Sequence, residues 1–313
     1  MHMAEQTHLS DPALRGRLLQ HEPMRKHVTW RTGGTADRAY VPADLDDAAQ
    51  FLRSLPADEP VYFVGLGSNL LVRDGGIRGT VVLTHSSHAA MRMDGELVYA
   101  EARAASPKVA RYAAVHGHAG AEFLAGIPGT VGGALAMNAG CYGSQTWDRV
   151  ERVLMLCRTG EMRERQPGDF DVAYRHVAFK DAKPGGELGV DEWFAAAWFR
   201  FERGDSEAVR RRIKELLQQR SAAQPLALPN AGSVFRNPPG DHAARLIEAC
   251  GLKGYSIGGA RISEKHANFI VNPEGLASAA DIENLIEHVR NTVLAQQGVD
   301  LIAEVRIIGE RTA

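Results

Sequence analysis

The sequence predicts an α+β protein of two or three domains. Three observations point there. The chain has 313 residues, enough for more than one hydrophobic core. Short apolar runs of strand length are interspersed with helical segments that carry their own start and stop residues. Two glycine-rich segments, 65–69 and 126–143, lie far apart, and composition shifts near residue 204.

The elements follow in order. His27-Val28-Thr29-Trp30-Arg31-Thr32-Gly33-Gly34 reads as a loop whose glycine pair feeds a strand at Ala39-Tyr40-Val41. Asp44 can cap a helix in which Leu45, Ala48, Ala49 and Leu52 recur at helical spacing. Val61-Tyr62-Phe63-Val64 is a short buried strand running into the first glycine loop. Leu70-Leu71-Val72 and Thr80-Val81-Val82-Leu83 are further strands, separated by the turn Asp74-Gly75-Gly76. Ser106-Pro107 starts a helix, with proline at its first position, that runs to Gly117. Gly126, Gly129, Gly132 and Gly133 argue against a regular helix or strand in that segment. Strands return at 153–156 and 198–201. Asp205 or Ser206 caps a charged helix over about 207–219. Residues 241–250 are helical with Gly251 as C-terminal cap. Ser278-Ala279-Ala280-Asp281 is a capping box for a helix ending at Gly298, and 302–308 is a final strand.

Charge narrows the function. Lys and Arg total 36 against 38 Asp and Glu, a net charge of −2, so no global field favours nucleic acid. The run Arg210-Arg211-Arg212 sits on a helix and reads as a solvated face. Three scattered cysteines, Cys141, Cys157 and Cys250, build no disulfide framework and have no zinc spacing, so no metal is expected. Met1–Gln6 lacks a basic stretch followed by an apolar run, and no segment approaches the ~20 apolar residues a membrane helix needs. A cytoplasmic protein without signal peptide or membrane segment is expected.

The motifs carry chemistry only in combination. Gly65-Leu66-Gly67-Ser68-Asn69 follows a strand, as a dinucleotide fingerprint would, but Leu70 stands where the third glycine belongs. Alone it is an ordinary tight turn. With the second segment it suits a long diphosphate cofactor, because glycines let backbone amides close on an anion. Ser233, in Asn230-Ala231-Gly232-Ser233-Val234-Phe235-Arg236-Asn237-Pro238, has no G-x-S-x-G around it. It reads either as a turn-capping hydroxyl or as a proton donor to a bound intermediate. Arg175 is a surface arginine or a guanidinium aimed at developing negative charge. Lys253 is a turn residue or a ligand cation. Glu304 and Arg306 share one face of the last strand, as a salt-bridging pair or a polar site. His266 reads as a structural or substrate-lining histidine rather than a catalytic one.

Together these segments resemble the UDP-N-acetylenolpyruvoylglucosamine reductases of peptidoglycan synthesis. The resemblance runs from about residue 27 to 309. It rests on Thr29 to Gly34, Gly65 to Asn69, Gly126-Ile127-Pro128-Gly129-Thr130-Val131-Gly132-Gly133, Asn138 to Gly143, Tyr174-Arg175, Gly232 to Pro238, Ser263 to Asn272 and Glu304-Val305-Arg306, in the family's order. It implies a two-lobed FAD-binding region of the vanillyl-alcohol-oxidase/PCMH type over 1–75 and 76–203. A smaller α+β substrate domain over 204–313 follows, whose last strand returns toward the FAD region. It implies noncovalent FAD reduced by NADPH, and reduction of UDP-N-acetylglucosamine enolpyruvate to UDP-N-acetylmuramate. Matching positions make Arg175, Ser233 and Glu304 the catalytic trio. Gly65, Gly67, Ser68, Asn69, Gly126, Ile127, Pro128, Gly129, Thr130, Gly132, Gly133 and Asn138 match the cofactor site. Asn69, Asn237, Lys253, His266 and Arg306 match substrate contacts.

Two departures stand out. Val177 occupies a position where the family often has serine. Between Phe201 and Ala231 there is little beyond one helix, which leaves no room for the family's inserted lid tyrosine and points to its shorter second type. Two rivals remain at this level. One is another flavin oxidoreductase, many of which attach FAD through a loop histidine or cysteine that 65–69 lacks. The other is a non-catalytic nucleotide-sugar binder, which would be colourless.

Overall fold

A computed structural model describes residues 14–180 and 187–312. The leader reading of Met1–Gln6 lies outside them. Contacts group the chain into two discontinuous units. One is Met1–Gln20, Arg38–Leu66 and Gly79–Gln219; the other is His21–Asp37, Gly67–Arg78 and Arg220–Ala313. These units are discontinuous, unlike the consecutive stretches 1–75, 76–203 and 204–313 that the resemblance implies. Pairing between distant segments sets them, and composition is blind to pairing.

The first unit is built on a five-stranded antiparallel sheet in the order Met162–Arg165, Val150–Cys157, Glu192–Arg200, Leu97–Glu101, Met91–Asp94. The central strand Glu192–Arg200 is buried along nearly its whole length. Its Ala195-Ala196-Ala197 run lets neighbours approach both faces. Against this sheet pack α2 (Ser106–Val115) and α3 (Val131–Ala136), through Val109, Ala113, Val131 and Leu135. A second cluster forms around α1 (Leu45–Ser54), with Ala48, Ala49, Phe51 and Leu52 buried. Asp44 caps α1 by accepting the Asp47 N–H at 2.9 Å. Phe51 stacks on buried Tyr40 with ring centroids 3.8 Å apart, a contact adding about 0.5–1.5 kcal/mol beyond burial. Val61–Val64 pairs in parallel with Thr80–Leu83, then enters the glycine loop. α4 (Ser206–Ala223) follows, with the Asp205 carboxylate accepting the Ala208 N–H at 2.8 Å.

The second unit holds α5 (Ala243–Ala249), α6 (Ala279–Gln297) and a three-stranded antiparallel sheet of Ser256–Ile257, Ala260–Ile262 and Ile270–Val271. The final strand, Arg306–Ile308, pairs in parallel with Leu70–Val72. Trp30, Phe235, Leu246, Ile282, Leu285 and Val289 fill the core. The Trp30 indole donates to the Ile270 carbonyl at 2.8 Å. The capping box at Ser278 and Asp281 is present, and Gly298 closes α6 at φ 70°.

Among the elements expected from sequence, three differ in ways that bear on the site. α2 has Ala105 as its N-cap, so Pro107 is second in the helix and the last helical residue is Val115. The segment expected to be irregular contains α3, which includes Gly132 and Gly133. Thr130 caps it with its hydroxyl, and the Val131 and Gly132 amides donate to Ala104 and Ala102 at 2.8 Å each, so tertiary bonds replace the propensity glycine lacks. The last strand begins only at Arg306, because the chain bends at Val305 and bridges Ala303 to Phe235. Glu304 therefore precedes the strand and shares no regular strand face with Arg306.

Candidate functional site

In the first unit the two glycine-rich segments meet. A Cβ on Gly65 would stand 2.5 Å from the Thr130 hydroxyl oxygen, so the chains approach as only glycine allows. Thr130 uses the same oxygen to accept the Gly133 N–H at 3.4 Å. A Cβ on Gly126 would lie 2.6 Å from Cys141 Sγ and 2.7 Å from the Tyr142 ring. Tyr142 in turn donates its hydroxyl to the Leu216 carbonyl at 3.0 Å. Ile127 and Gly129 are buried, Gly132 is half-buried, and Pro128 and Gly133 are exposed. Pro128 has no N–H and Gly133 gives its own to Thr130, so the glycine-enabled close approach of the two segments, rather than exposed amides, is what this region offers a bound cofactor. The FAD expected from sequence has a matching cradle here.

Arg175 sits in the two-residue turn of the hairpin Phe170–Ala173 and His176–Phe179, at φ 55°. A left-handed backbone costs a non-glycine residue about 1–2 kcal/mol, and here it is held by a network. The Arg175 guanidinium donates to the carbonyls of Asn138 and Gly140 at 3.2 Å each. Val177, where serine was noted in the family, packs against the core instead of hydrogen bonding through its side chain.

In the second unit Gly67 takes φ 61°, and its carbonyl accepts the Thr29 N–H at 3.2 Å. Ser68 and Asn69 are half-buried. The Asn69 amide donates to the Glu304 carbonyl at 3.1 Å, and the Arg306 N–H donates to the Asn69 carbonyl at 3.0 Å. Ser233 follows Gly232, at φ 76°, whose N–H is held by the Asn230 side chain at 2.9 Å. Two clamps fix the residues after it. Glu304 donates its N–H to the Val234 carbonyl at 2.7 Å. Asn268, only 4% exposed, grips Phe235 both ways, accepting its N–H at 2.9 Å and donating to its carbonyl at 2.8 Å. The Asn268 main-chain carbonyl also takes the Val234 N–H at 2.9 Å. The Ser233 turn, Glu304, Asn69 and the start of the Arg306 strand are thus brought together.

The other expected contacts are more peripheral. Asn237 accepts the Ala243 N–H at 3.1 Å and so supports the start of α5. Lys253 pairs with Glu248 at 2.7 Å near the surface. Arg306 is exposed. His266 accepts the Asn268 N–H on Nδ1 at 3.3 Å, which leaves the proton on Nε2. Burial, then the nearby Lys253 charge, lowers its pKa below the ordinary value of 6.5, so the ring is neutral at pH 7. Asn268 lies in the matched stretch Ser263 to Asn272, but sequence reasoning gave it no role. Its one signal is an amide inside the apolar stretch Ala267–Val271. Among the described residues no group of three or more His, Cys, Asp or Glu could hold a metal ion.

Known proteins match this arrangement along the chain. Residues 36–165 match the FAD binding domain family, and residues 224–308 match the family described as UDP-N-acetylenolpyruvoylglucosamine reductase, C-terminal domain. The reductase of Thiobacillus denitrificans is 58% identical over 96% of this chain and 94% of its own. That of Nitrosospira multiformis is 56% identical over 95% of this chain and 90% of its own. The crystal structure of the enzyme from Thermus caldophilus superposes with a TM-score of 0.75 at 29% identity, covering 94% of this chain and 99% of that one. With both constituent domains matched and whole-length relatives above half identity, the chain belongs to the UDP-N-acetylenolpyruvoylglucosamine reductase family.

Proposed function

We propose that the protein reduces UDP-N-acetylglucosamine enolpyruvate to UDP-N-acetylmuramate at the expense of NADPH, in cytoplasmic peptidoglycan precursor synthesis. The observation that carries this reading is the match over 224–308 to the reductase's own C-terminal domain, which contains Ser233, Asn237, Lys253, His266, Glu304 and Arg306. A match to an FAD-binding domain alone would fit many oxidoreductases. In this reading FAD is held without a covalent bond by lobes over 1–75 and 76–203, and the substrate by 204–313. The family's expected FAD contacts at Gly65, Gly67, Ser68, Asn69, 126–130, Gly132 and Gly133 are part of the proposal, whereas the Asn138 side chain is bonded within the protein.

FAD held by the two glycine-rich segments would supply hydride transfer from NADPH to the terminal vinyl carbon of the substrate. The chain's residues manage the charge and the proton. Negative charge builds on the adjacent carbon and its carboxylate, and Arg175, Lys253 and Arg306 stabilise it. The Ser233 hydroxyl donates the proton that completes the new C–H bond. An alcohol is a weak acid, so it must face a strongly basic carbon at hydrogen-bond range, roughly 2.6–3.2 Å. Glu304 orients or relays protons. His266, neutral with its proton on Nε2, offers the substrate a donor, and Asn69 and Asn237 offer amides.

The test is product analysis. Incubation with NADPH and the enolpyruvyl substrate should yield a UDP-sugar heavier by two hydrogens, one mole for each mole of NADPH oxidised. NADPH consumption without that product would refute the assignment.

A further inference from the structure

We propose that Asn138 is a positioning residue for Arg175, and that its side chain acts through that guanidinium rather than on the cofactor. The proposal rests on the reading that Arg175 serves the substrate step. Asn138 is 2% exposed, with φ 44°. Its side-chain nitrogen donates to Gln145 Oε1 at 3.1 Å and to the Ala173 carbonyl at 3.1 Å. Its side-chain oxygen accepts the Trp147 N–H at 3.1 Å. Both amide hydrogens are spent inside the protein, so the side chain has no donor left to offer FAD.

The partners show what that amide does. Ala173 is the last strand residue before the Tyr174-Arg175 turn and pairs with His176 across it. The Asn138 side chain therefore holds the base of the turn. Its main-chain carbonyl holds the tip, by accepting Arg175 Nη1 at 3.2 Å. Gly140, two residues on, takes Nη2 at 3.2 Å. The left-handed backbone at Asn138 comes just before these two carbonyls and sets the direction of the first, and Asn tolerates that conformation better than most residues with a side chain. One residue thus fixes both ends of the segment that carries the guanidinium. A displacement of about 1 Å in such a group can cost ~100-fold in rate.

The experiment uses FAD-loaded protein and three variants: Asn138→Asp, Arg175→Ala and the double variant. Asp keeps the acceptor for Trp147 and the tolerance for left-handed backbone, but loses both donors. Four quantities are measured: the FAD dissociation constant by flavin fluorescence, flavin reduction by NADPH, reoxidation by the enolpyruvyl substrate, and thermal unfolding. Asn138→Asp should slow reoxidation by ~10- to 100-fold while leaving FAD affinity and flavin reduction within twofold of wild type. In the Arg175→Ala background the same substitution should slow reoxidation no further, because the group it positions is gone. Weakened FAD binding, or an undiminished effect in the double variant, would overturn the proposal. Asn138→Gly, which also accepts positive φ, is measured alongside. Loss of folding or of FAD in both variants would assign Asn138 to the fold or the cradle and likewise overturn it. If Arg175→Ala reoxidises at the wild-type rate, the catalytic reading of Arg175 falls first, and the proposal with it.

Discussion

In the proposed function Ser233 is the residue that hands over the proton. Its Gly232 neighbour at positive φ and the Asn230 side chain that holds the Gly232 amide were both visible as a turn in the sequence. The clamp on Phe235 was not, because Asn268 lies 33 residues away and only folding brings it there. Proton donation belongs to the substrate step alone. Ser233→Ala should therefore slow flavin reoxidation by ~10²-fold or more while NADPH still reduces the flavin at near wild-type rate. Equal loss in both half-reactions would make Ser233 structural. His266 gives a second residue-level prediction. Its folded pKa lies below 6.5, so the unfolded chain takes up a proton first as pH falls. This contribution to stability is complete above about pH 6.5 and shrinks as pH drops below it. In His266→Gln the fall of unfolding free energy between about pH 6.5 and 5 should be shallower than in wild type. Superimposable profiles would show that His266 titrates normally.

At the scale of elements, helices with capping residues were legible and the glycine segments were not. Asp44, the Ser278 box and Gly298 announce α1 and α6 through local bonds. α3 was not read that way although Thr130 caps it, since its glycines lower helix propensity and the bonds to Ala102 and Ala104 that offset this lie outside the helix. The bend at Val305 was hidden for the same reason: Val234 and Phe235 impose it from another segment. The strands Arg17–Pro23 and Met162–Arg165 were missed because charged residues interrupt their apolar pattern, and Met91–Asp94 because its alternation spans only four residues. In the proposed function the element whose geometry matters most is the Gly65–Thr130 approach. Gly65→Ala places a methyl group 2.5 Å from the Thr130 hydroxyl in the present geometry, so one of the two segments must move. FAD affinity should fall by at least tenfold, as read by flavin fluorescence, with the secondary structure intact by circular dichroism. Unchanged affinity would place the cradle elsewhere. Asn268→Ala tests the other clamp. It leaves a buried N–H and C=O of Phe235 without their partner and should lower unfolding free energy by about 1–3 kcal/mol in urea titration. A loss below about 0.5 kcal/mol would show that water replaces the amide.

At the scale of the whole molecule, the order of motifs along the chain carried the function, while the division into units was hidden in long-range pairing such as that of Arg306–Ile308 with Leu70–Val72. Composition could say only that no strong charge recruits nucleic acid, and among the described residues no helix is long and apolar enough to cross a membrane. In the proposed function one chain couples NADPH to the enolpyruvyl double bond through FAD. An anaerobic spectral titration tests it in a single cuvette. The purified protein should be yellow, one equivalent of NADPH should bleach it, and one equivalent of UDP-N-acetylglucosamine enolpyruvate should restore the oxidised flavin spectrum without oxygen. A flavin that NADPH bleaches and the enolpyruvyl substrate leaves bleached would contradict the account.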